Sequence, residues 1–241
     1  MLFLNKKKIT LLKFIKQVSF RLNIKYYLVH NLGFTNKEAI RAIEQRKLIV
    51  NGSVITENSE FNETWEIYLE NQLLKPNTPF AYIAFYKPRG IETTHNKEIP
   101  DNLTTVFTFE KHLGFAGRLD KESEGLLLLS NDGKYIQSLS DPKREKEKEY
   151  IVTVNKPITI DFINDMGAGV DIIICKTKPC FIEKITEFEF KIILTEGKNR
   201  QIRRMCKALG YLVAKLVRVR IDNLYLGELK PGEFREFNVN K

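Results

Sequence analysis

Arg118 and Asp120 stand two positions apart in a polar stretch that leads directly into four consecutive leucines, Leu126 to Leu129. The leucine run predicts a buried strand, because Gly125 precedes it and an Asn-Asp-Gly turn follows it. A loop that carries charge into such a strand holds those charges at the edge of a core. A reactive carboxylate would be placed there, because rigid surroundings keep it oriented.

Carboxylates can act on glycosidic bonds without a cofactor, since positive charge develops on the sugar and an anion can stabilise or attack it. Glu122 and Glu124 lie close to Asp120, so a two-carboxylate hydrolase is one hypothesis, although both glutamates are expected to be solvated. The basic chain and the single tryptophan, Trp65, far from this stretch, argue against a sugar-binding enzyme. The N-glycosidic bond of a nucleotide fits the charge better.

The charge balance points to a polyanionic partner. The formal net charge is +9 over 241 residues. We expect nucleic acid rather than a membrane, because no apolar run is long enough to span a bilayer. The alternative is that the surplus lysines only solvate the surface. Lys13 and Lys16 interrupt the apolar residues near the start, which favours a basic N-terminal arm over residues 1–20 and a cytoplasmic protein.

The cysteines and histidines suggest no metal site. Cys175, Cys180 and Cys206 lack metal-ligand spacing, and the three histidines are scattered. The chain also has neither a P-loop nor a dinucleotide-binding fingerprint. We therefore expect reduced thiols, no metal and no cofactor.

Residues 21–75 have the pattern of a small α+β unit. Thr35 and Glu38 match a capping box in front of a helix, and Asn51-Gly52 joins two short strands as a hairpin. The basic residues of this unit either solvate a helix face or contact an RNA backbone: Lys37, Arg41, Arg46 and Lys47. Pro76 and Pro79 mark a boundary, so a second domain is expected over residues 80–241.

The second region is rich in strand signals and contains one basic helix. Residues 149–154 alternate, which places Tyr150, Val152 and Val154 on one face of a strand. Near residue 205 an apolar helix stripe is predicted to end at Gly210. The opposite side of this helix is a basic stripe that a phosphate backbone could neutralise: Arg200, Arg203, Arg204 and Lys207.

Four ordered stretches resemble the successive motifs of the RsuA/RluB/RluE/RluF-type pseudouridine synthases: Lys87-Pro88-Arg89-Gly90, Gly117-Arg118-Leu119-Asp120, Lys148-Glu149-Tyr150 and Asn199-Arg200-Gln201-Ile202-Arg203-Arg204-Met205. The resemblance covers residues 21–237, and residues 21–75 resemble an S4 RNA-binding domain. It implies a small S4-like domain and then an α+β catalytic domain with a mixed, largely antiparallel sheet. Residues 155–159 and 166–170 are most similar to the RluF branch, which implies 23S ribosomal RNA as substrate.

The resemblance also implies a reaction and roles. Uridine is cleaved at its N-glycosidic bond and rejoined to the sugar through C5, without cofactor or metal. By motif match Asp120 is the essential carboxylate, Arg203 pairs with it, and Tyr150 stacks on the target uracil. Whether Asp120 adds to the base, adds to the sugar or opens a glycal route stays open. Arg118 would fill the gap left by a flipped base.

Further candidate RNA contacts are Lys87, Leu119, Lys121, Asn199 and Gln201. The implied partner is 23S ribosomal RNA or a ribosome-assembly intermediate, and we expect a monomer. One alternative keeps the chemistry but changes the substrate to small-subunit ribosomal RNA or transfer RNA. Another is a non-catalytic RNA-binding assembly factor, which would have no need of Asp120, Tyr150 and Arg203 together.

Overall fold

The computed structural model describes residues 23–62, 64–108, 113–173 and 175–239. The predicted N-terminal arm, residues 1–20, lies outside these ranges. The chain divides into two compact units between Phe80 and Ala81. No helix in the described ranges is long and apolar enough to cross a membrane.

The first unit packs two helices on a small antiparallel sheet. Its elements are α1 (Ile24–Asn31), α2 (Asn36–Glu44), β1 (Leu48–Val50), β2 (Ser53–Val54), β3 (Ile67–Leu69) and β4 (Gln72–Lys75). The strand order is β2-β1-β3-β4. Ile24 and Leu28 of α1 meet Ala39 and Ile43 of α2 in a core that Leu48 completes.

Local sequence signals account for this unit. The predicted capping box is confirmed, because the Thr35 hydroxyl accepts from the Glu38 amide while the Glu38 carboxylate accepts from the Thr35 amide. The predicted hairpin is also confirmed, with Val50 opposite Ser53 across the Asn51-Gly52 turn.

The second unit is built on a mixed sheet. Its strands are β5 (Tyr82–Lys87), β6 (Gly114–Ala116), β7 (Glu124–Ser130), β8 (Lys148–Val154), β9 (Asp171–Ile172), β10 (Cys175–Lys176), β11 (Phe181–Lys184), β12 (Glu189–Leu194), β13 (Val213–Ile221), β14 (Leu224–Tyr225) and β15 (Phe234–Glu236). Its helices are α3 (Gly133–Ser140), α4 (Ile160–Ala168) and α5 (Gln201–Ala208). Over the described residues, the large sheet has nine strands in the order β11-β12-β8-β13-β7-β5-β15, with β14 on β13 and β6 on β7.

The predicted mixed, largely antiparallel character of this sheet is confirmed. The pair β13–β7 is parallel, whereas β13 pairs with β8, and β7 with β5, in antiparallel fashion. The switch of direction occurs at β13, between the strand that carries Tyr150 and the strand that follows the Asp120 loop.

The leucine run forms a buried strand, as predicted, and lies between β13 and β5 in the sheet. Leu126 and Leu128 enter one core cluster, while Leu127 and Leu129 enter another on the opposite face. Each is at most 1% exposed. A strand covered on both faces needs apolar residues at every position, which explains a continuous run in place of an alternating one.

Candidate active site

A cavity of about 490 Å³ lies beside the end of the Asp120 loop. Five segments line it: the loop at residues 117–123, residues 140–146 after α3, the start of β8, residues 194–202 that lead from β12 into α5, and β13. Asp120 and Tyr150 both contribute to its wall, together with Arg118, Arg200 and Arg218. The structure therefore brings two of the three predicted catalytic residues to one concave site.

The backbone around Asp120 is held on both sides. The Thr93 hydroxyl donates to the Leu119 carbonyl at 2.7 Å and accepts from the Leu119 amide at 3.1 Å. The Gly90 amide donates to the Lys121 carbonyl at 2.7 Å, and the Ser123 amide donates to that of Asp120 at 3.0 Å. These bonds hold the backbone on both sides of Asp120 in place.

Tyr150 is placed by the register of β8. Its Cα neighbours across the sheet are Ile192 on β12 and Arg218 on β13. As predicted, Tyr150 shares a face with Val152 and Val154, which are buried in the core, while Tyr150 itself is half-buried. On this face of β8, Val152 and Val154 therefore pack in the core, while Tyr150 lines the cavity.

Arg203 does not form the predicted contact with Asp120. Its Nη2 atom donates to the Glu122 carbonyl at 2.9 Å and to the Ser123 hydroxyl at 3.4 Å, and its Nη1 atom donates to the Val213 carbonyl at 3.3 Å. Its Nε atom lies 3.8 Å from the Glu122 carboxylate. Burial lowers the pKa of Arg203, and the Glu122 carboxylate opposes that shift. Arg203 braces the loop after Asp120 because the Glu122 backbone takes up its donors.

The two glutamates of this loop differ. Glu122 is half-exposed and pairs with Arg200 at 2.7 Å, and this hydrogen bond from Arg200 is the main cause that lowers the pKa of Glu122. Glu124 is 9% exposed and lies 3.4 Å from Lys215. The expectation that both are solvated is wrong for Glu124, because it is already part of the buried strand β7.

Three predicted RNA contacts are buried side chains: Lys87 is 0% exposed, Leu119 5% and Gln201 4%. The Lys87 ammonium donates to the carbonyls of Pro88 and Ile91 at 2.8 and 2.6 Å. Burial lowers its pKa to about 8. The Gln201 amide donates to Glu196 at 2.7 Å. Full burial and these internal bonds are at odds with direct contact between Lys87 and RNA. Leu119 and Gln201 line the cavity, so their contact with RNA stays a prediction.

The other predicted RNA contacts are accessible. Those that are exposed in the second unit are Arg118, Lys121, Asn199, Arg200 and Lys207, and those in the first are Lys37, Arg41, Arg46 and Lys47. Arg204 is half-buried and donates to Asn199 at 3.0 Å. Some exposed cations already have acidic partners, since Lys121 pairs with Asp101 and Lys47 with Glu70, each at 2.8 Å.

Sequence reasoning missed two residues that shape the site, Thr93 and Arg218. Each is 1% exposed. Arg218 donates from Nε to the Leu126 carbonyl at 2.7 Å and from Nη2 to the Gly117 carbonyl at 3.3 Å. The only signal for Arg218 was a charged residue inside the apolar strand pattern of β13. Nothing in the local sequence around Thr93 marks it.

The cavity wall is rich in cations. Lys148 faces it, and burial together with the charge of Arg218 lowers the pKa of Lys148. Its ammonium donates to the Lys146 carbonyl at 2.9 Å. A wall of this kind favours an anionic ligand, and the Asp120 carboxylate within it forms no ion pair with any described residue, because Arg200 and Arg203 turn to Glu122.

The chain is similar to known proteins in sequence and in fold. The family model described as RNA pseudouridylate synthase matches residues 81–208. The dual-specificity RNA pseudouridine synthase RluF of Escherichia coli K12 is 40% identical over 204 residues, which cover 84% of this chain and 70% of that protein. The ribosomal small subunit pseudouridine synthase A of Haemophilus influenzae is 30% identical over 218 residues, covering 87% and 93%.

An uncharacterized RNA pseudouridine synthase of Aquifex aeolicus is 34% identical over 219 residues, which cover 87% of this chain and 90% of that protein. Among solved structures, a crystal structure of a pseudouridylate synthase superposes with a TM-score of 0.64 at 29% identity, covering 90% of this chain and 96% of that chain. Similarity therefore extends over both sequence and fold. The chain belongs to the RNA pseudouridylate synthase family and is an RNA pseudouridine synthase of the RsuA/RluF type.

Proposed function

We propose that this enzyme isomerises a specific uridine of 23S ribosomal RNA to pseudouridine, with Asp120 as the essential carboxylate. The observation that carries the proposal is that Asp120 and Tyr150, from separate segments, line one cavity of about 490 Å³. That volume falls within the usual range for small-ligand sites, roughly 300–1,000 Å³. A uridine flipped out of its stem can enter it, at an unstacking cost of a few kcal/mol.

The environment of Asp120 suits chemistry at the glycosidic bond. Its carboxylate is half-buried and has no ion-pair partner among the described residues, so its charge is available to the substrate. Positive charge that develops at C1′ when the bond breaks would be stabilised by this anion. Addition of Asp120 to the base and a glycal route are equally compatible with this position.

Tyr150 and Arg203 have supporting roles in the proposal. Tyr150 stacks on the uracil from its place on β8, and its phenol can assist loss of the C5 proton. Arg203 acts through the loop, since it donates to the Glu122 carbonyl and the Ser123 hydroxyl. Its contribution is the position of Asp120 and not direct pairing with it.

The exposed cations hold the RNA backbone. Arg118 and Arg200 stand at the cavity, and Lys207 is exposed on α5. The first unit, which we take to be an S4-like RNA-binding domain, adds Lys37 and Arg41 on α2. Such contacts fix register on the RNA without reading bases. We expect a monomer acting on ribosomal RNA or an assembly intermediate in the cytoplasm.

The choice of 23S ribosomal RNA follows the relatives at 40% identity, which are named RluF, and the RluF-like stretches of the sequence. The relative from Haemophilus influenzae is named for the small ribosomal subunit, which keeps small-subunit RNA as the runner-up. Transfer RNA is a third substrate class. A non-catalytic assembly factor is disfavoured because such a protein needs no carboxylate and tyrosine in a shared cavity.

The test is pseudouridine mapping of total RNA from cells with and without the gene. We expect one 23S uridine to lose its modification in the deletion strain. Wild-type protein should restore it, and Asp120→Asn should not, although its Kd for the RNA stays within a few-fold. A missing modification in small-subunit or transfer RNA would move the substrate, and no change anywhere would favour the assembly factor.

A further inference from the structure

Arg218 lies on the strand that joins the two parts of the active site. On one side its Cα partner is Tyr150 of the antiparallel strand β8, and on the other it is Gly125 of the parallel strand β7. Residues directly opposite in an antiparallel pair project on the same face, with Cβ atoms about 4.5–5.5 Å apart. The side chains of Arg218 and Tyr150 are therefore neighbours on the cavity side of the sheet.

A bulge gives Arg218 this orientation. The register of β13 on β8 shifts between Arg218 and Arg220, so that Arg218 faces Tyr150 while Arg220 faces Glu149. Tyr150 and Glu149 are consecutive and project on opposite faces of β8. The two arginines consequently serve different faces, and Arg220 bonds the Glu149 and Glu147 carboxylates at 2.8 and 2.9 Å. Bulges commonly re-aim side chains next to active sites.

The donors of Arg218 reach both catalytic segments. Its Nη2 atom donates to the carbonyl of Gly117, three residues before Asp120. Its Nε atom donates to the Leu126 carbonyl at the start of the leucine run. Tyr150 lies directly opposite Arg218 in the register of β8 on β13, and the two side chains interact electrostatically. One rigid, planar group thus contacts the Asp120 loop, the core strand and the tyrosine at once.

Burial of the Arg218 guanidinium is energetically costly, because a charge loses its hydration inside a protein. Arg218 is 1% exposed and has no carboxylate partner among the described residues, and burial lowers its pKa. Well-packed apolar residues in place of a buried charge are often neutral or stabilising, so packing alone would favour a side chain such as methionine here. The arginine offers what methionine lacks, which is a fixed set of donors.

We propose that Arg218 is a positioning residue that sets the Tyr150 side chain relative to Asp120. The inference rests on the proposed roles of those two residues. Loss of the guanidinium would leave the Gly117 carbonyl and the Tyr150 side chain without their shared partner, and the two halves of the site would shift independently. A misplacement of about 1 Å is enough to cost about 100-fold in rate.

The experiment compares Arg218→Met with Arg220→Met in the full-length protein. Both changes remove a mostly buried arginine from β13, at sites two residues apart. We measure the single-turnover rate of pseudouridine formation at saturating enzyme, the Kd for the RNA and the Tm. Arg218→Met should lower the rate about 100-fold with the Kd within about three-fold, whereas Arg220→Met should keep the rate within a few-fold at a similar loss of Tm.

Arg218→Lys covers the case in which Arg218→Met does not fold. Lysine keeps the charge but cannot donate to the Leu126 and Gly117 carbonyls from one planar group beside Tyr150. Its rate should therefore be at least about tenfold below wild type and above that of the methionine variant. A wild-type rate for Arg218→Lys, or equal rate losses for the 218 and 220 methionine variants, would overturn the proposal. Activity that persists in Asp120→Asn would instead overturn the proposed function.

Discussion

The Thr93 side chain hydrogen-bonds both backbone polar groups of Leu119, the residue immediately before Asp120. Thr93 is 1% exposed and Leu119 5%. A single hydroxyl therefore acts as donor and acceptor for the two peptide groups that flank Leu119, which restrains the backbone dihedrals that lead into Asp120. Thr93 itself does not line the cavity, so it acts on this loop only through the backbone.

Thr93→Val replaces that hydroxyl with a methyl group of similar size. We expect the single-turnover rate to fall about tenfold to 100-fold with the Kd for RNA nearly unchanged, because the loop shifts while the phosphate contacts stay. Two buried backbone groups lose their hydrogen-bond partner, which should lower the free energy of unfolding by about 1–3 kcal/mol for each group. The Tm should fall as a result. Thr93→Ser keeps the hydroxyl and serves as the control. If Thr93→Ser were as slow as Thr93→Val, the role given to the hydroxyl would be contradicted.

The variants Arg203→Met and Arg204→Met distinguish an arginine that holds the Asp120 loop from one that binds RNA. Arg203 bonds the Glu122 backbone, whereas Arg204 bonds only the exposed Asn199. Arg203→Met should reduce the single-turnover rate far more than the affinity. Arg204→Met should weaken binding and lower the slope of log Kd against log salt by about one phosphate contact, with the rate at saturation kept. Equal losses of rate and affinity in Arg203→Met would make Arg203 a phosphate contact.

Gly125 is required by the close approach of β13. Its φ is +106°, and a Cβ atom there would lie 2.4 Å from the Arg218 carbonyl oxygen. Gly125→Ala should therefore lower the free energy of unfolding by at least about 3 kcal/mol, through strain and displacement of the strand. Gly133→Ala is the matched control, since a Cβ there meets nothing within 4 Å. Denaturant unfolding of both variants checks the difference, and equal stability would contradict the geometry.

Lys87 gives a pH dependence of stability. Its folded pKa is about 8 and lies below the ordinary lysine value of 10.5, so between these values the unfolded chain binds more protons than the folded one. The free energy of unfolding attributable to Lys87 should then rise as pH increases from 8 towards 10.5. Comparison of wild type with Lys87→Met isolates this effect, and the difference in stability should shift in favour of wild type over that window. A difference that stays flat with pH would contradict the lowered pKa.

Substitution of Lys37 and Arg41 tests whether the first unit binds RNA phosphates. Both are exposed on α2 and neither forms an ion pair with a described residue. The double change Lys37→Met with Arg41→Met should weaken RNA binding and reduce the salt slope by about 1.4–1.8, since each phosphate contact contributes about 0.7–0.9. Lys47→Met is the comparison, because Lys47 already pairs with Glu70. An unchanged slope in the double variant would remove this unit from the phosphate contacts.

Local patterns determined much of the fold. The capping box at Thr35, the Asn51-Gly52 hairpin and the leucine strand depend on neighbours in sequence or on burial of a whole segment, and all three form as predicted. The alternation around Tyr150 likewise placed this residue on one face of β8 with Val152 and Val154, as the structure shows. The motif resemblance predicted Asp120 and Tyr150 as catalytic residues, and in the fold both line one cavity.

Only the tertiary structure decided the partners of the charges. Arg203 donates to the Glu122 carbonyl and not to Asp120. Lys87 donates to a carbonyl of the turn that follows β5, and Arg218 donates to the Gly117 carbonyl. The bonds of Arg203 and Arg218 join residues 81 and 101 positions apart, so they depend on how the strands and α5 pack. Lys87 bonds carbonyls within four residues, but only because its side chain is buried in the folded unit. A residue's type and its local spacing state what it can donate or accept, but the geometry that selects one acceptor among several exists only after the sheet has formed.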